Sequence, residues 1–177
     1  MWRTPGIQTR SICRTLAPTF ASHMTAQNEI KQQAPTLIEG GIVIDDRGSV
    51  RFANDFDFAG VKRFYVVRNH QARTVRAWHA HKKEAKYVTV LQGAALIGAV
   101  EIDDWQAPSK GCQVHKFVLA QEKPSVLAIP PGFANGFMSL TDDTILIFFS
   151  SASLEESLED DWRYPARHWD IWQVKER

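Results

Sequence analysis

The sequence has little cysteine, no long hydrophobic run and no marked excess of charge. Its 177 residues include two cysteines, Cys13 and Cys112, too few for a disulfide framework or a cysteine-rich metal cluster. The longest apolar runs, such as residues 144–149, are far too short to cross a bilayer. We therefore expect a cytoplasmic protein that does not enter a membrane.

The charge balance argues against a polyanionic partner. The chain carries 21 Lys and Arg against 20 Asp and Glu, which leaves a net charge of +1. Nucleic acids and anionic membranes select a much larger basic excess, so neither is expected as a partner. A small anionic ligand remains compatible, because a few well-placed arginines suffice to bind one.

Acidic residues are absent from the first 28 residues, which carry three arginines and several Ser and Thr. Such a composition is typical of an organelle transit peptide. A non-native leader, or a true start at Met24, would give the same composition. We therefore predict a disordered or non-native extension over residues 1–28 and one domain over residues 29–177.

From Thr36 onward the chain shows short β-like runs separated by turn residues. About nine such runs follow one another at intervals of ten or so residues, without a long helical pattern before Ser153. Regularly spaced short strands favour an all-β sandwich or barrel over alternating βαβ units. Residues 154–172 are predicted to form an irregular or briefly helical tail.

Two segments contain residues that suggest a functional site. Residues 76–81 read Arg-Ala-Trp-His-Ala-His. Alternation along a strand predicts that His79 and His81 share one face and that Arg76 lies on the other. Residues 129–137 read Ile-Pro-Pro-Gly-Phe-Ala-Asn-Gly-Phe, and their prolines and glycines predict a tight turn between two strands.

Together these segments resemble the two-part pattern of the cupin superfamily, whose fold is a double-stranded β-helix, or jelly-roll barrel. A metal-binding cupin adds a Glu at a set distance and a His in the second segment. Here Glu84 follows His81 too closely, and Asn135, a poor ligand, stands at the second-segment position. The resemblance therefore implies no metal ion.

Residues 41–172 resemble, more narrowly, the dTDP-4-dehydrorhamnose 3,5-epimerase family and its nucleotide-sugar isomerase relatives. The matching pieces come in family order: Asp46-Arg47-Gly48, Asn69, Arg76-Ala77-Trp78-His79, Lys86, residues 129–137 and Trp169-Asp170-Ile171-Trp172. The resemblance implies a homodimeric, cofactor-independent epimerase or isomerase. Its implied substrate is a nucleoside-diphosphate 4-keto-6-deoxy-sugar used for surface polysaccharides, with a dTDP-sugar as the favoured form.

The resemblance also implies roles for single residues. His79 takes the place of the general base that removes the proton next to a ketone, and an imidazole with a pKa near 6.5 suits that task. Lys86 would stabilise the resulting enolate. The predicted substrate-binding residues are Arg47, Arg76, His81, Asn135 and Asn69. Strand alternation lets Arg76 share the site only if the strand bends or a neighbouring subunit contributes.

The general acid is the point at which the sequence departs from the family. The epimerases carry a Tyr on the strand after the second segment, and the resemblance places Phe148 there, which cannot transfer a proton. Related 3,4-ketoisomerases have a segment similar to residues 76–82 and use a Tyr on the preceding strand, where Tyr65 stands. A 3,4-ketoisomerase and a non-catalytic sugar-nucleotide-binding cupin are therefore the alternatives. Asp160, Asp161 and Asp170 are the candidates for orienting the catalytic His.

Overall fold

The computed structural model of the chain describes residues 33–173, so the predictions for residues 1–28 lie outside the described residues. Within the described part, short strands dominate and one helix follows them. The elements are β1 (Thr36–Glu39), β2 (Gly41–Asp45), β3 (Gly48–Phe52), β4 (Arg63–Arg68), β5 (Val75–Ala80), β6 (Lys86–Gln92), β7 (Ala94–Glu101), β8 (Val114–Ala120), β9 (Ser125–Ile129), β10 (Phe133–Ser139), β11 (Ile145–Ser150), α1 (Leu154–Glu159) and β12 (Trp162–Arg163).

Two five-stranded antiparallel sheets form the barrel. Their strand orders are β1-β9-β6-β11-β4 and β12-β5-β10-β7-β8, and β2 and β3 form a separate hairpin. Apolar side chains from the inner faces of both sheets make the main core, with Leu127, Leu146 and Val88 fully buried. The predicted all-β jelly roll and the short helix in its tail are confirmed. No helix among residues 33–173 is both long and apolar enough to span a bilayer.

A second core lies on the outer face of the second sheet. Trp169 and Trp172 of the C-terminal segment pack there against Trp78 of β5. The central strand β10 is therefore covered on both faces, and all seven of its residues are buried. A strand buried on both faces shows no polar–apolar alternation, which explains why the sequence did not reveal β10.

Two predicted boundaries are corrected by these strands. Of residues 129–137, only the stretch between Ile129 and Phe133 turns, and the rest belongs to β10. Residues 37–44 read as one β-like run in the sequence, but the structure divides them between β1 and β2 at Gly40. A side chain at Gly40 would meet the carbonyl oxygen of Phe52 at 2.1 Å, so the close approach of two backbones requires glycine.

Candidate active site

A bulge in β5 decides which side chains face the barrel interior. Where β5 pairs with β10, Asn135 lies opposite His79 and Phe137 lies opposite Arg76, so β5 spans the same distance with one residue more. The Ala77–Trp78 peptide bond within this stretch is cis. A bulge breaks the strict alternation of a strand. Arg76 and His79 consequently line the same cavity, and the prediction that they face opposite sides is wrong.

The cavity lies between the two sheets and has a volume of about 290 Å³. Helix α1 and the segment that leads into β12 form part of its wall. Six of the predicted site residues line it, namely Tyr65, Arg76, His79, His81, Lys86 and Asn135. Sequence reasoning did not assign a role to two further cations of the lining, Arg63 and Arg163. Arg63 was detectable, because it lies two residues before Tyr65 on the same strand face.

His79 lies at the open side of the cavity, with its side chain 41% exposed. Its Nδ1 atom lies 3.9 Å from Oδ1 of Asp161. The other carboxylate oxygen of Asp161 accepts a hydrogen bond of 2.8 Å from Nε of Arg163, the residue that pairs with His79 across β5 and β12. Burial and the Arg163 charge lower the pKa of His79, and Asp161 opposes them. The imidazole is therefore neutral at neutral pH and able to accept a proton.

Of the three candidate aspartates, Asp161 alone lies beside His79. Asp160 accepts a hydrogen bond from the backbone N–H of Lys83. Asp170 accepts one from the backbone N–H of Trp172. The structure thus singles out Asp161 as the carboxylate close enough to act on the His79 ring.

Tyr65 and Phe148 face each other across β4 and β11. Their rings are stacked, with centroids 5.2 Å apart and an interplanar angle of 5°. Burial, reinforced by the charge of Glu84 and opposed by Arg63, raises the pKa of Tyr65 to about 12. The phenol therefore stays protonated at neutral pH, which suits a general acid.

Lys86 and His81 line the inner end of the cavity, and both side chains are buried. The Lys86 ammonium donates a hydrogen bond to Oε1 of Glu84, a carboxylate that sequence reasoning considered only as a misplaced metal ligand. Nδ1 of His81 lies 2.7 Å from the carbonyl oxygen of Asp160. Because a carbonyl oxygen only accepts, the Nδ1–H of His81 is the donor in this contact.

Two predicted substrate-binding residues do not line this cavity as the described residues form it. Asn69 is buried, and its Oδ1 accepts a hydrogen bond of 2.8 Å from Nε of Arg76. Its Nδ2 donates to Oγ of Ser139 at 2.8 Å. Asn69 therefore holds Arg76 in place. Arg47 lies in the turn between β2 and β3, where it pairs with Asp45 and is 85% exposed.

The lining carries an excess of positive charge. Arg63, Arg76, Lys86 and Arg163 contribute cations, and Asp161 is the one acid among the described residues of the lining. Asn135 donates a hydrogen bond of 3.0 Å from Nδ2 to the carbonyl oxygen of His79 and so ties β10 to β5. Among residues 33–173, no group of three or more His, Cys, Asp or Glu side chains is arranged to hold a metal ion. The charge of the cavity suits an anionic ligand.

Comparison with known proteins agrees with this geometry. The profile of the dTDP-4-dehydrorhamnose 3,5-epimerase family matches residues 31–173. The chain belongs to that family. It is accordingly a nucleotide-sugar epimerase or isomerase. No curated protein sequence matches the chain.

Solved structures of the family and its relatives share the fold. The dTDP-4-dehydrorhamnose 3,5-epimerase of Sulfolobus tokodaii is 26% identical, with a TM-score of 0.64 over 80% of this chain and 82% of that one. The Bacillus anthracis enzyme, solved with TDP and pyrophosphate, is 22% identical, with a TM-score of 0.64 over 80% and 86%. A double mutant of the 3,4-ketoisomerase QdtA of Thermoanaerobacterium thermosaccharolyticum, in complex with TDP, is 22% identical, with a TM-score of 0.56 over 76% and 90%.

Proposed function

We propose that this family member removes an α proton from a nucleoside-diphosphate 4-keto-6-deoxy-sugar and returns a proton at a single carbon. The observation that carries the proposal is the meeting of His79, Lys86 and Tyr65 around one cationic cavity. A dTDP-sugar is the favoured substrate, because TDP or dTDP-sugars occupy several of the related structures. Synthesis of surface polysaccharides in the cytoplasm is the proposed setting.

Each of the three side chains has its own part in the proposed proton transfers. Neutral His79 accepts the proton from the carbon next to the C4 ketone, and the electron pair of the broken C–H bond moves onto the ketone oxygen as an enolate. The Lys86 ammonium lies at the inner end of the cavity, where it stabilises the enolate oxygen. Tyr65, still protonated, supplies a proton when the carbonyl re-forms. Asp161 stabilises the imidazolium formed at His79.

The outcome depends on where that proton is delivered. Epimerisation at C3 returns a proton to C3 from the opposite face of the ring. A 3,4-keto shift adds it at C4, while the C3 hydroxyl loses its own proton. The 3,4-ketoisomerase is the second candidate, because Tyr65 enters the cavity and its cross-strand neighbour is the inert Phe148. Because Tyr65 is the single proposed general acid, a change at one carbon is favoured over epimerisation at two carbons.

Substrate binding is assigned to the polar lining and to a second subunit. Arg76, held by Asn69, is suited to a phosphate oxygen, and His81 and Asn135 are suited to the sugar. Arg47 lies away from the cavity of its own chain. It could therefore bind substrate only if the hairpin extended to the cavity of a second subunit. The hairpin carries apolar side chains toward solvent, with Ile44 72% and Val50 66% exposed, which favours the homodimer.

Incubation with dTDP-4-keto-6-deoxyglucose in deuterated water tests the proposal. We expect deuterium at C3 of the sugar, detected by NMR. His79→Asn should abolish the label while circular dichroism shows an intact barrel, and His70→Asn, which alters an exposed histidine, should keep it. Deuterium at C4, with the ketone moved to C3, would identify the 3,4-keto shift. Absence of deuterium at C3, C4 and C5 with the common 4-keto-sugars would refute the enzymatic proposal. Deuterium at both carbons would refute the restriction to one.

A further inference from the structure

Glu84 is a buried carboxylate behind the cavity, and the reaction described above does not use it. It lies in the loop between β5 and β6, and 1% of its side chain is exposed. Oε1 accepts hydrogen bonds from the Lys86 ammonium and from Oγ of Ser150. The Arg63 guanidinium lies 3.5 Å from the same oxygen. Three strands, β4, β6 and β11, thus converge on one acid that does not line the cavity.

The second carboxylate oxygen faces His81. Nδ1 of His81 lies 3.3 Å from Oε2 of Glu84 and 2.7 Å from the carbonyl oxygen of Asp160. Oε2 is the one buried side-chain polar atom among residues 33–173 that lacks a hydrogen-bond partner. The hydrogen bonds of Glu84 are thus concentrated on Oε1, the oxygen that accepts from Lys86.

Burial works against the positive charge of Lys86, and the neighbouring Glu84 carboxylate counteracts that effect. A buried ammonium tends to lose its proton, and burial lowers the pKa of Lys86. The other charged or titratable groups facing it are the Arg63 cation and the Tyr65 ring on β4, His79 on β5, and the more distant Asp161. Arg63 lowers the pKa of Lys86 further, whereas the hydrogen bond and charge of Glu84 raise it. Neutral lysine cannot neutralise an enolate.

Glu84 itself remains ionised. Burial alone would raise the pKa of its carboxyl, but the hydrogen bonds from Lys86 and Ser150 outweigh burial and hold that pKa below its usual value. The carboxylate is therefore a fixed negative charge at neutral pH.

We propose that Glu84 is a positioning residue that keeps Lys86 charged and aimed into the cavity. This inference rests on the proposed function, in which Lys86 stabilises the enolate. A purely structural Glu84 would contribute to folding alone and would leave the titration of Lys86 and the pH dependence of turnover unchanged.

Glu84→Gln tests the proposal with the full chain. Lysine labelled with ¹³C at Cε reports each titration by NMR, and the Lys86 signal is assigned by its loss in Lys86→Arg. We expect the Lys86 midpoint to fall by about one unit or more, the usual effect of removing an adjacent opposite charge. The alkaline limb of kcat/KM should fall by the same amount. Glu84→Asp, which keeps the charge at a greater distance, should give a smaller shift in the same direction.

Glu39→Gln is the matched control, because Glu39 pairs with the exposed Lys123 on the surface. It should change neither the Lys86 midpoint nor the pH profile. An unchanged Lys86 midpoint in Glu84→Gln would overturn the inference, as would a shifted midpoint with an unchanged alkaline limb. If Glu84→Gln does not fold, Glu84→Asp decides between the same outcomes. Failure of wild-type protein to exchange deuterium would instead refute the proposed function, and the Lys86 titration would still report on Glu84.

Discussion

Burial acts on the two reactive nitrogens of the cavity in the same direction, with different consequences. It lowers the pKa of His79, which favours the neutral base, and it lowers the pKa of Lys86, which works against the charged ammonium. The ordinary values are 6.5 for His and 10.5 for Lys. At the residue scale we therefore expect the proposed reaction to proceed at pH values between these two titrations.

The pH profile of kcat/KM should reflect both groups. Activity rises with pH as His79 loses its proton, at a midpoint below 6.5, and falls as Lys86 loses its proton, at a midpoint below 10.5. Tyr65, with a pKa of about 12, titrates beyond both. Lys86→Arg keeps its charge throughout, so its alkaline limb should move to higher pH. An acid limb centred above 6.5 would contradict the assignment of His79.

Tyr65→Phe should separate proton removal from product formation. Without the acid, we expect product turnover to fall by roughly 10²–10⁴-fold, while His79 still exchanges the α proton with solvent. Introducing Phe148→Tyr into this variant restores a hydroxyl on the facing strand and should recover part of the turnover. The readouts are NMR of the product and of deuterium incorporation.

Tyr87→Phe is the control for these variants, because Tyr87 packs against Phe56 and does not line the cavity described here. It should leave turnover unchanged. Full turnover in Tyr65→Phe would remove Tyr65 from the mechanism.

At the scale of elements, the register between β5 and β10 decides which side chains of β5 face the cavity. Gly136 lies opposite the bulge, and a Cβ there would come within 2.4 Å of the Cβ of Ala77. The bulge therefore depends on a glycine in the neighbouring strand. It brings Arg76 onto the face of His79, which a regular strand would prevent.

Gly136→Ala should push β5 away from β10. We expect a loss of about 1–3 kcal/mol in the free energy of unfolding, as for other overpacked sites. Activity should fall further than the folded fraction does, because His79 and Arg76 both move. Gly111→Ala provides the control, since its Cβ would meet Oγ of Ser109 at an ordinary 3.5 Å. Denaturant unfolding and kcat/KM measure the two effects, and equal stability of both variants would contradict the proposed packing.

At the scale of the whole molecule, the β2–β3 hairpin exposes apolar side chains that the described residues of a single chain leave largely uncovered. Val43 is 57% exposed, and Arg47 at the hairpin tip lies outside the cavity of its own chain. A homodimer would bury the apolar residues and give Arg47 a site to reach.

Mixed dimers test whether Arg47 acts across subunits. We expect Arg47→Ala to raise KM and His79→Asn to abolish turnover. If the sites are shared, mixing the two variants leaves one intact site in each heterodimer, or about a quarter of the wild-type activity when subunits exchange freely. Analytical ultracentrifugation measures the assembly. Activity that never exceeds the sum of the separate variants would place Arg47 outside the site.

The sequence by itself determined the fold class and identified several of the polar side chains that line the cavity. Short runs of period two with turn residues between them specify an antiparallel β-barrel, because alternation is a local property of a strand. The segment containing His79 and the positions of Lys86 and Tyr65 identified residues that do line one cavity.

Tertiary structure alone decided how those groups are supported. The face of Arg76 depends on a bulge set by pairing with β10, and Asp161 and Arg163 come beside His79 through pairing of β5 with β12. Asn69 supports Arg76 from another strand. These contacts join segments far apart in the chain, and local periodicity carries no information about them. The sequence therefore identified residues that line the cavity, and the tertiary structure determined which residues contact them.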